Sequence, residues 1–255
     1  MAGVPVSQAF ARTRDLEMAC RAAASREREL EQLNERLTRG YQQCLARAVD
    51  LKRSHRRLER SALQLLLGVV RVVEARHADT RGHSERVGGL AWRLALRAGL
   101  TRAQARTVGQ GGRLHDLGKV GLPEAVLLKV GPLDPTERDV KRRHPGLGAH
   151  LVAPFESLVE VGLIIRHHHE RYDGRGYPDG LRGETIPLGA RIVAVADRYD
   201  ALTSRPADRP PGGQRAALAQ LRLDEGARLD PALTRLLLRL LETEQIDLGS
   251  EPILP

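Results

Sequence analysis

The sequence predicts an all-α protein, with an N-terminal helical or coiled-coil segment over residues 1–60 and a helical domain over residues 61–255. Three observations point there. Aromatic residues are only 3% of a chain that is 41% hydrophobic, so the core must be mostly Leu, Val, Ile and Ala. Strands draw on aromatic and β-branched side chains, whereas Leu and Ala favour helices. Residues 13–60 are rich in Arg, Glu, Leu and Ala and contain no proline. Beyond residue 61, apolar runs of helical length are separated by capping residues, Gly and Pro.

The elements follow in order. Leu30, Leu37, Cys44, Leu51, Leu58 and Leu65 fall seven residues apart, one line of a coiled-coil seam. The companion line through Leu33, Gly40, Arg47 and Ser54 is poor, so a helical hairpin, a dimerising helix and a solvated single helix all remain open. Residues 1–12 are expected to fray. A helix is predicted over 61–76 and another from Ser84 that stops at Gly99. Thr101 is the predicted N-cap of a helix running through Leu117, and Thr136 that of a short helix to Arg143. Structure resumes at Pro145, Ser157 to His169 has a helical pattern, and residues 173–187 are turn-rich. Leu188 to Leu202 reads as helix, 205–213 as loop, and two further helices fill 214–242.

Charge and cysteine content narrow the function classes. The net charge is +9, from 41 Lys and Arg against 32 Asp and Glu, with Arg far in excess of Lys. That balance suits an anionic partner or reflects only the base composition of the genome, so charge alone decides nothing. No C-x-x-C finger or basic strip interleaved with aromatics is present, so no nucleic-acid module is expected. Cys20 and Cys44 form neither a metal-type pair nor a disulfide framework, which fits a reducing cytoplasm. No run reaches 18 apolar residues, so no membrane span is expected, and none of the patterns of a sensory domain is read ahead of residue 61.

Seven residues stand out as candidate ligands: His83, His115, Asp116, His144, His168, His169 and Asp197. Any one alone reads as a surface or hydrogen-bonded core residue. Together, imidazole and carboxylate donors suit first-row transition metals. Adjacent helical residues diverge by about 100°, so His115 and Asp116 can serve different positions around one site. A carboxylate at Asp116 can bridge two metals, the arrangement that clamps both oxygens in a phosphoryl displacement. Lys119, three residues on, shares its helical face and can neutralise a substrate phosphate, or be an ordinary last-turn lysine. Asp79, four residues before His83, is a further ligand or only a cap.

The string Leu114-His115-Asp116-Leu117-Gly118-Lys119 resembles the signature of the HD superfamily of metal-dependent phosphohydrolases. His168-His169-Glu170, Asp173-Gly174 and Gly176-Tyr177-Pro178 resemble the motif that names its HD-GYP branch. Thr80 to Val87, His144-Pro145, Ile186-Pro187 and Asp200-Ala201-Leu202-Thr203-Ser204 are similar to the same pattern, which covers about residues 70–231. The resemblance implies hydrolysis of cyclic di-GMP to pGpG, GMP or both by metal-activated water. It implies two or three divalent ions, iron or manganese. By motif, His83, His115, Asp116 and Asp197 would hold one metal, and Asp116, His144, His168 and His169 the second. Asp79 stands where members with a third metal carry Glu.

The same resemblance assigns catalytic roles to Asp116 and Lys119, and substrate contacts to Lys119, Arg205 and Arg209. Tyr177 would contact substrate or brace its glycine-rich loop. The chain departs from the pattern at two places. His77 replaces the usual Asp, and the stretch after Ser204 is one residue short, with Asp208 where a base is expected. The altered stretch at Arg205 keeps a second reading, a catalytically weak HD-GYP protein acting as a cyclic di-GMP-linked binding or interaction module, whereas His77 is expected to alter the support of the ligands without loss of metal. Expected partners are cyclic di-GMP, a second copy through the N-terminal helix, and a signalling protein.

Overall fold

The computed structural model describes residues 6–76, 82–129, 131–204 and 213–243. Among them there is no strand, only an isolated bridge between Glu225 and Leu229. Helix α1 spans Val6–Ala75, and contacts divide the chain within it, into residues 1–58 and 59–255. The second unit holds α2 (His83–Arg97), α3 (Arg102–Leu114), α4 (Glu124–Leu127), α5 (Pro135–Lys141) and α6 (His144–Val152). It continues with α7 (Val159–His167), α8 (Leu188–Ser204), α9 (Gly213–Asp224) and α10 (Pro231–Glu242).

The separate helix expected over 61–76 is instead the last part of α1, and the expected fraying to residue 12 gives way to helix from Val6. No proline interrupts this stretch, and Gly68, with nothing within 4 Å of a would-be Cβ, leaves the helix unbroken. The heptad residues Leu30, Leu37, Leu51, Leu58 and Leu65 are all exposed, as is Cys44.

Two apolar clusters hold the second unit together. One joins α2, α3, α7, α8, α9 and α10 through Leu94, Val108, Ile164, Ile192, Leu221 and Leu237. The other packs Leu67 and Val70 of α1 on Leu114, Leu117, Val161 and Ile165. Burying each such side chain fully is worth roughly 1.5–3 kcal/mol. These clusters clamp the ends of α3 and α7, where the histidine motifs lie.

Capping chemistry sets the helix starts. Thr101 caps α3 in a reciprocal box with Gln104, as its sequence suggests. Helix α5 is capped by Asp134, not Thr136. Asp134 accepts from the Glu137 amide at 2.9 Å, and Pro135 takes the first helical position. Asp230 caps α10 and also receives Arg191 at 2.6 Å.

Two helix ends differ from expectation, and both position the site. Helix α3 stops at Leu114 instead of running through Leu117, and a 3-10 turn covers Leu117–Gly121. A Cβ at Gly118 would lie 1.9 Å from the His144 carbonyl oxygen, so only glycine lets this turn meet α6. The pattern from Ser157 to His169 opens as a 3-10 turn over Glu156–Leu158, and α7 ends at His167 with His168 as its C-cap.

Candidate metal centre

The motif residues come from five separate places in the chain. His83 opens α2, His115 and Asp116 follow α3, His144 opens α6, His168 and His169 follow α7, and Asp197 lies within α8. All but Asp197 sit at or just beyond helix ends, and the packing of those ends brings them together. His83, His115, His144 and His168 are each at most 2% exposed.

Four imidazoles are oriented in one way. His115 Nδ1–H donates to the Gly112 carbonyl, His144 Nδ1–H to Lys141 and His168 Nδ1–H to Ile165, each at 2.7 Å. His83 Nδ1–H donates to Asp200 Oδ2, also at 2.7 Å. A carbonyl can only accept, so in His115, His144 and His168 the proton must sit on Nδ1 and the Nε2 lone pair must point inward, while in His83 the Asp200 carboxylate likewise claims Nδ1–H and turns Nε2 inward. That is the outer-partner arrangement typical of metal-binding histidines.

The inward faces form two donor groups around Asp116. His83, His115 and Asp197 bring ligand atoms within 4.8 Å of one another, as do His144, His168 and His169. His115, Asp116 and His168 form a third such group that joins them. Asp116 Oδ1 is 3.4 Å from His144 Nε2, and Asp116 Oδ2 is 3.4 Å from His115 Nε2. Each oxygen of this carboxylate therefore faces a different group.

Electrostatics test whether cations fit here. His144 and His168 place their Nε2 atoms 3.4 Å apart. Burial lowers the His144 pKa to about 4 and drives that of His168 well below its usual value. Burial also lowers His169 to about 3. Neutral rings would then confront lone pair with lone pair, an arrangement that a shared or nearby cation relieves. His83 shows the converse: burial opposes its charge, but hydrogen bonds to Asp197 and Asp200 outweigh it and raise the pKa to about 9. Its Nε2, 3.3 Å from Asp197, calls for a cation at that position, a proton or a metal. Burial works against charge on Asp116 and Asp197 too. Lys119 and His115 nevertheless hold Asp116 well below the usual carboxylate range, and His83 does the same for Asp197. The donor set fits divalent transition metals.

The remaining sequence candidates fall as follows. Lys119 forms an ion pair with Asp116 and is partly buried. Tyr177 lays its ring over His169, with centroids 4.9 Å apart, and the Arg142 guanidinium sits 5.5 Å from the Tyr177 ring centre. Asp79, Arg205 and Arg209 lie outside the described residues, as does His77. A cavity of about 510 Å³ opens beside the donors, lined by His168, His169, Tyr177 and Asp197 together with several arginines.

Several supporting residues were not assigned a role from sequence. Asp200 orients His83 and is itself held by Arg86 at 2.6 and 3.1 Å. Its place one helical turn after Asp197 was the available signal. Asp179 receives Arg166 through two contacts of 2.8 and 2.7 Å, and His167 at 3.0 Å, which pins the loop after Tyr177 to α7. Glu170 Oε1 accepts from the Asp179 amide at 2.7 Å. Gly176 packs where a Cβ would lie 2.3 Å from the Arg171 nitrogen, so this crossing also requires glycine.

Comparison with known proteins agrees with this geometry. The HD domain family matches residues 68–233. The chain is 38% identical over 230 residues to the cyclic di-GMP phosphodiesterase response regulator RpfG of Xanthomonas campestris, covering 89% of this chain and 59% of that protein. It is 36% identical over 169 residues to a cyclic di-GMP phosphodiesterase of Thermotoga maritima, covering 66% and 46%. Among solved structures, Bd1817, an HDG"Y"P protein from Bdellovibrio bacteriovorus, aligns with a TM-score of 0.51 at 26% identity, over 63% of this chain and 51% of that one. The chain thus spans about half the length of these relatives. Its matched region, its donor residues and its Gly-Tyr-Pro loop together place the chain in the HD domain family, in the HD-GYP branch.

Proposed function

We propose that this chain is a metal-dependent phosphodiesterase that hydrolyses cyclic di-GMP to pGpG, GMP or both. The observation that carries the reading is the pair of buried donor groups sharing Asp116 beside an arginine-lined cavity. The names of the relatives supply the substrate.

In this reading His83, His115, Asp116 and Asp197 hold one ion, and Asp116, His144, His168 and His169 the second. Iron or manganese suits such a mixed imidazole and carboxylate set, and Asp79 is the proposed ligand for a third ion. When bound, such ions supply Lewis-acid stabilisation of phosphoryl oxygens and lower the pKa of water. The chain's own residues do the rest. Backbone carbonyls and Asp200 hold protons on Nδ1 and so aim the Nε2 atoms. Lys119 pairs its Nζ with Asp116, balancing its charge and standing ready for a phosphoryl oxygen. The Tyr177 loop excludes water from the His169 side, and Arg205 and Arg209 bind substrate. The exposed heptad line of α1 supports a homodimer or a signalling partner in the cytoplasm.

Anaerobically purified protein tests this directly, with metal content and turnover measured on one sample. Two or more transition-metal ions per chain and release of pGpG or GMP are expected. A full metal complement with no turnover of cyclic di-GMP, or faster turnover of mononucleotides, would overturn the reading.

A further inference from the structure

A cyclic dinucleotide carries two phosphodiesters, and only one can lie at the metal-binding donors at a time. The other needs a partner elsewhere in the same cavity. Five arginines line that cavity: Arg142, Arg171, Arg175, Arg198 and Arg228. Two are already committed. Arg171 grips Asp173 at 3.0 and 2.6 Å, and Arg198 holds Asp224 at 2.7 Å. Arg142 lies over Tyr177 and reaches Asp139 at 3.5 Å. Among the described residues, the guanidinium groups of Arg175 and Arg228 have no carboxylate partner.

The placement of these two is built into the backbone. The Asp173 amide donates to the Ala227 carbonyl at 2.9 Å, and the Tyr172 amide to the Arg228 carbonyl at 3.3 Å. These bonds stitch the glycine-rich loop that carries Arg175 to the α9–α10 turn that carries Arg228. Gly226, at φ 74°, and the bridge from Glu225 to Leu229 shape that turn. Two segments far apart in sequence thus bring unpaired positive charge to one rim of the cavity. Guanidinium forks suit phosphate oxygens and keep their charge at any accessible pH.

We propose that Arg175 and Arg228 form a second anion subsite, which holds the phosphodiester of the substrate that is not being cleaved. The proposal rests on the phosphodiesterase reading. It places the second phosphate contact on the rim formed by these two turns, in addition to the shortened stretch after Ser204. A contact made equally in the ground and transition states changes KM and leaves kcat alone.

The test is steady-state hydrolysis of cyclic di-GMP by metal-loaded protein, with calorimetric binding of the same nucleotide alongside. Arg175→Ala combined with Arg228→Ala should raise KM by about tenfold or more and change kcat by less than about threefold. Arg175→Lys with Arg228→Lys, which keeps the charge but not the fork, should recover only part of the loss. Both side chains are exposed, and metal content and melting temperature serve as controls for folding. An unchanged KM in the alanine pair, or a fall in kcat without a change in KM, would overturn the subsite. Wild-type protein that binds cyclic di-GMP without hydrolysing it would sink the hydrolase reading alone, and the alanine pair would then be read by its Kd. Wild-type protein that neither binds nor hydrolyses it would sink both.

Discussion

His83 Nδ1 lies 2.7 Å from Asp200 Oδ2, although the two residues are separated by 117 positions in the chain. This contact fixes which nitrogen of the first α2 residue carries the proton, and therefore which one faces Asp197 and Asp116. Among the described residues, His83 is the one member of the donor groups to which Asp200 is hydrogen-bonded, so it acts as a positioning residue.

Asp200→Ala is expected to weaken metal binding by about 10–100-fold, the usual cost of removing an outer partner of a ligating histidine. Asp200→Asn, which can still accept from Nδ1–H, should fall between the variant and wild type. Metal titration monitored by calorimetry checks this. Equal affinity in Asp200→Ala and wild type would show that His83 needs no such orientation.

Asp116→Ala removes the carboxylate that both donor groups share, and it should cost more than Asp200→Ala in metal content and abolish turnover. Inductively coupled plasma analysis beside a cyclic di-GMP assay reads both. Retention of two ions per chain would contradict a bridging role.

The metal-free protein should be most stable near pH 6.5. His144 and His169 titrate at about 4 and about 3 in the folded chain, below the usual 6.5. As pH falls below 6.5 the unfolded chain takes up protons that the folded chain refuses, and stability is lost. His83, raised to about 9, has the opposite sign. Its contribution is complete below 6.5 and disappears as pH rises through about 9. Thermal unfolding of chelated protein from pH 4 to pH 10 should therefore peak in the middle. Binding a metal at His83 must expel that proton, so affinity should rise with pH. A flat profile would refute both statements.

Gly118→Ala should destabilise the fold by about 1–3 kcal/mol or more, as overpacking does, because the new Cβ would meet the His144 carbonyl and the Gly148 amide. It should also lower metal content by displacing His144. Gly40→Ala, at a position with nothing within 4 Å, is the matched control and should be neutral or slightly stabilising. Chemical denaturation of both variants decides the point.

Most helix positions were legible from local signals, because capping is short-range chemistry. Thr101 and Gln104 sit three residues apart, and so do Asp134 and Glu137. The misplaced cap at Thr136 arose because Pro135 makes Asp134 the better start. The end of α3 was missed for a different reason: Gly118 is demanded by α6, which approaches from outside the segment.

The candidate donors were legible in the same local way. A His-Asp pair, a double His and a Gly-Tyr-Pro loop each occupy a short string whose chemistry does not depend on the rest of the chain. Their grouping was implied by the family resemblance alone, since nothing in the chemistry of those strings brings one to another. That His144 and His168 share one group, that Asp116 faces both, that Asp200 aims His83, and that Arg175 and Arg228 line one cavity all depend on bringing distant segments together. Such contacts exist only once the apolar clusters around Leu94 and Ile165 have packed the helices. Side-chain type and spacing specify which atoms can bind. Burial between converging helix ends decides which way those atoms point and what charge they carry.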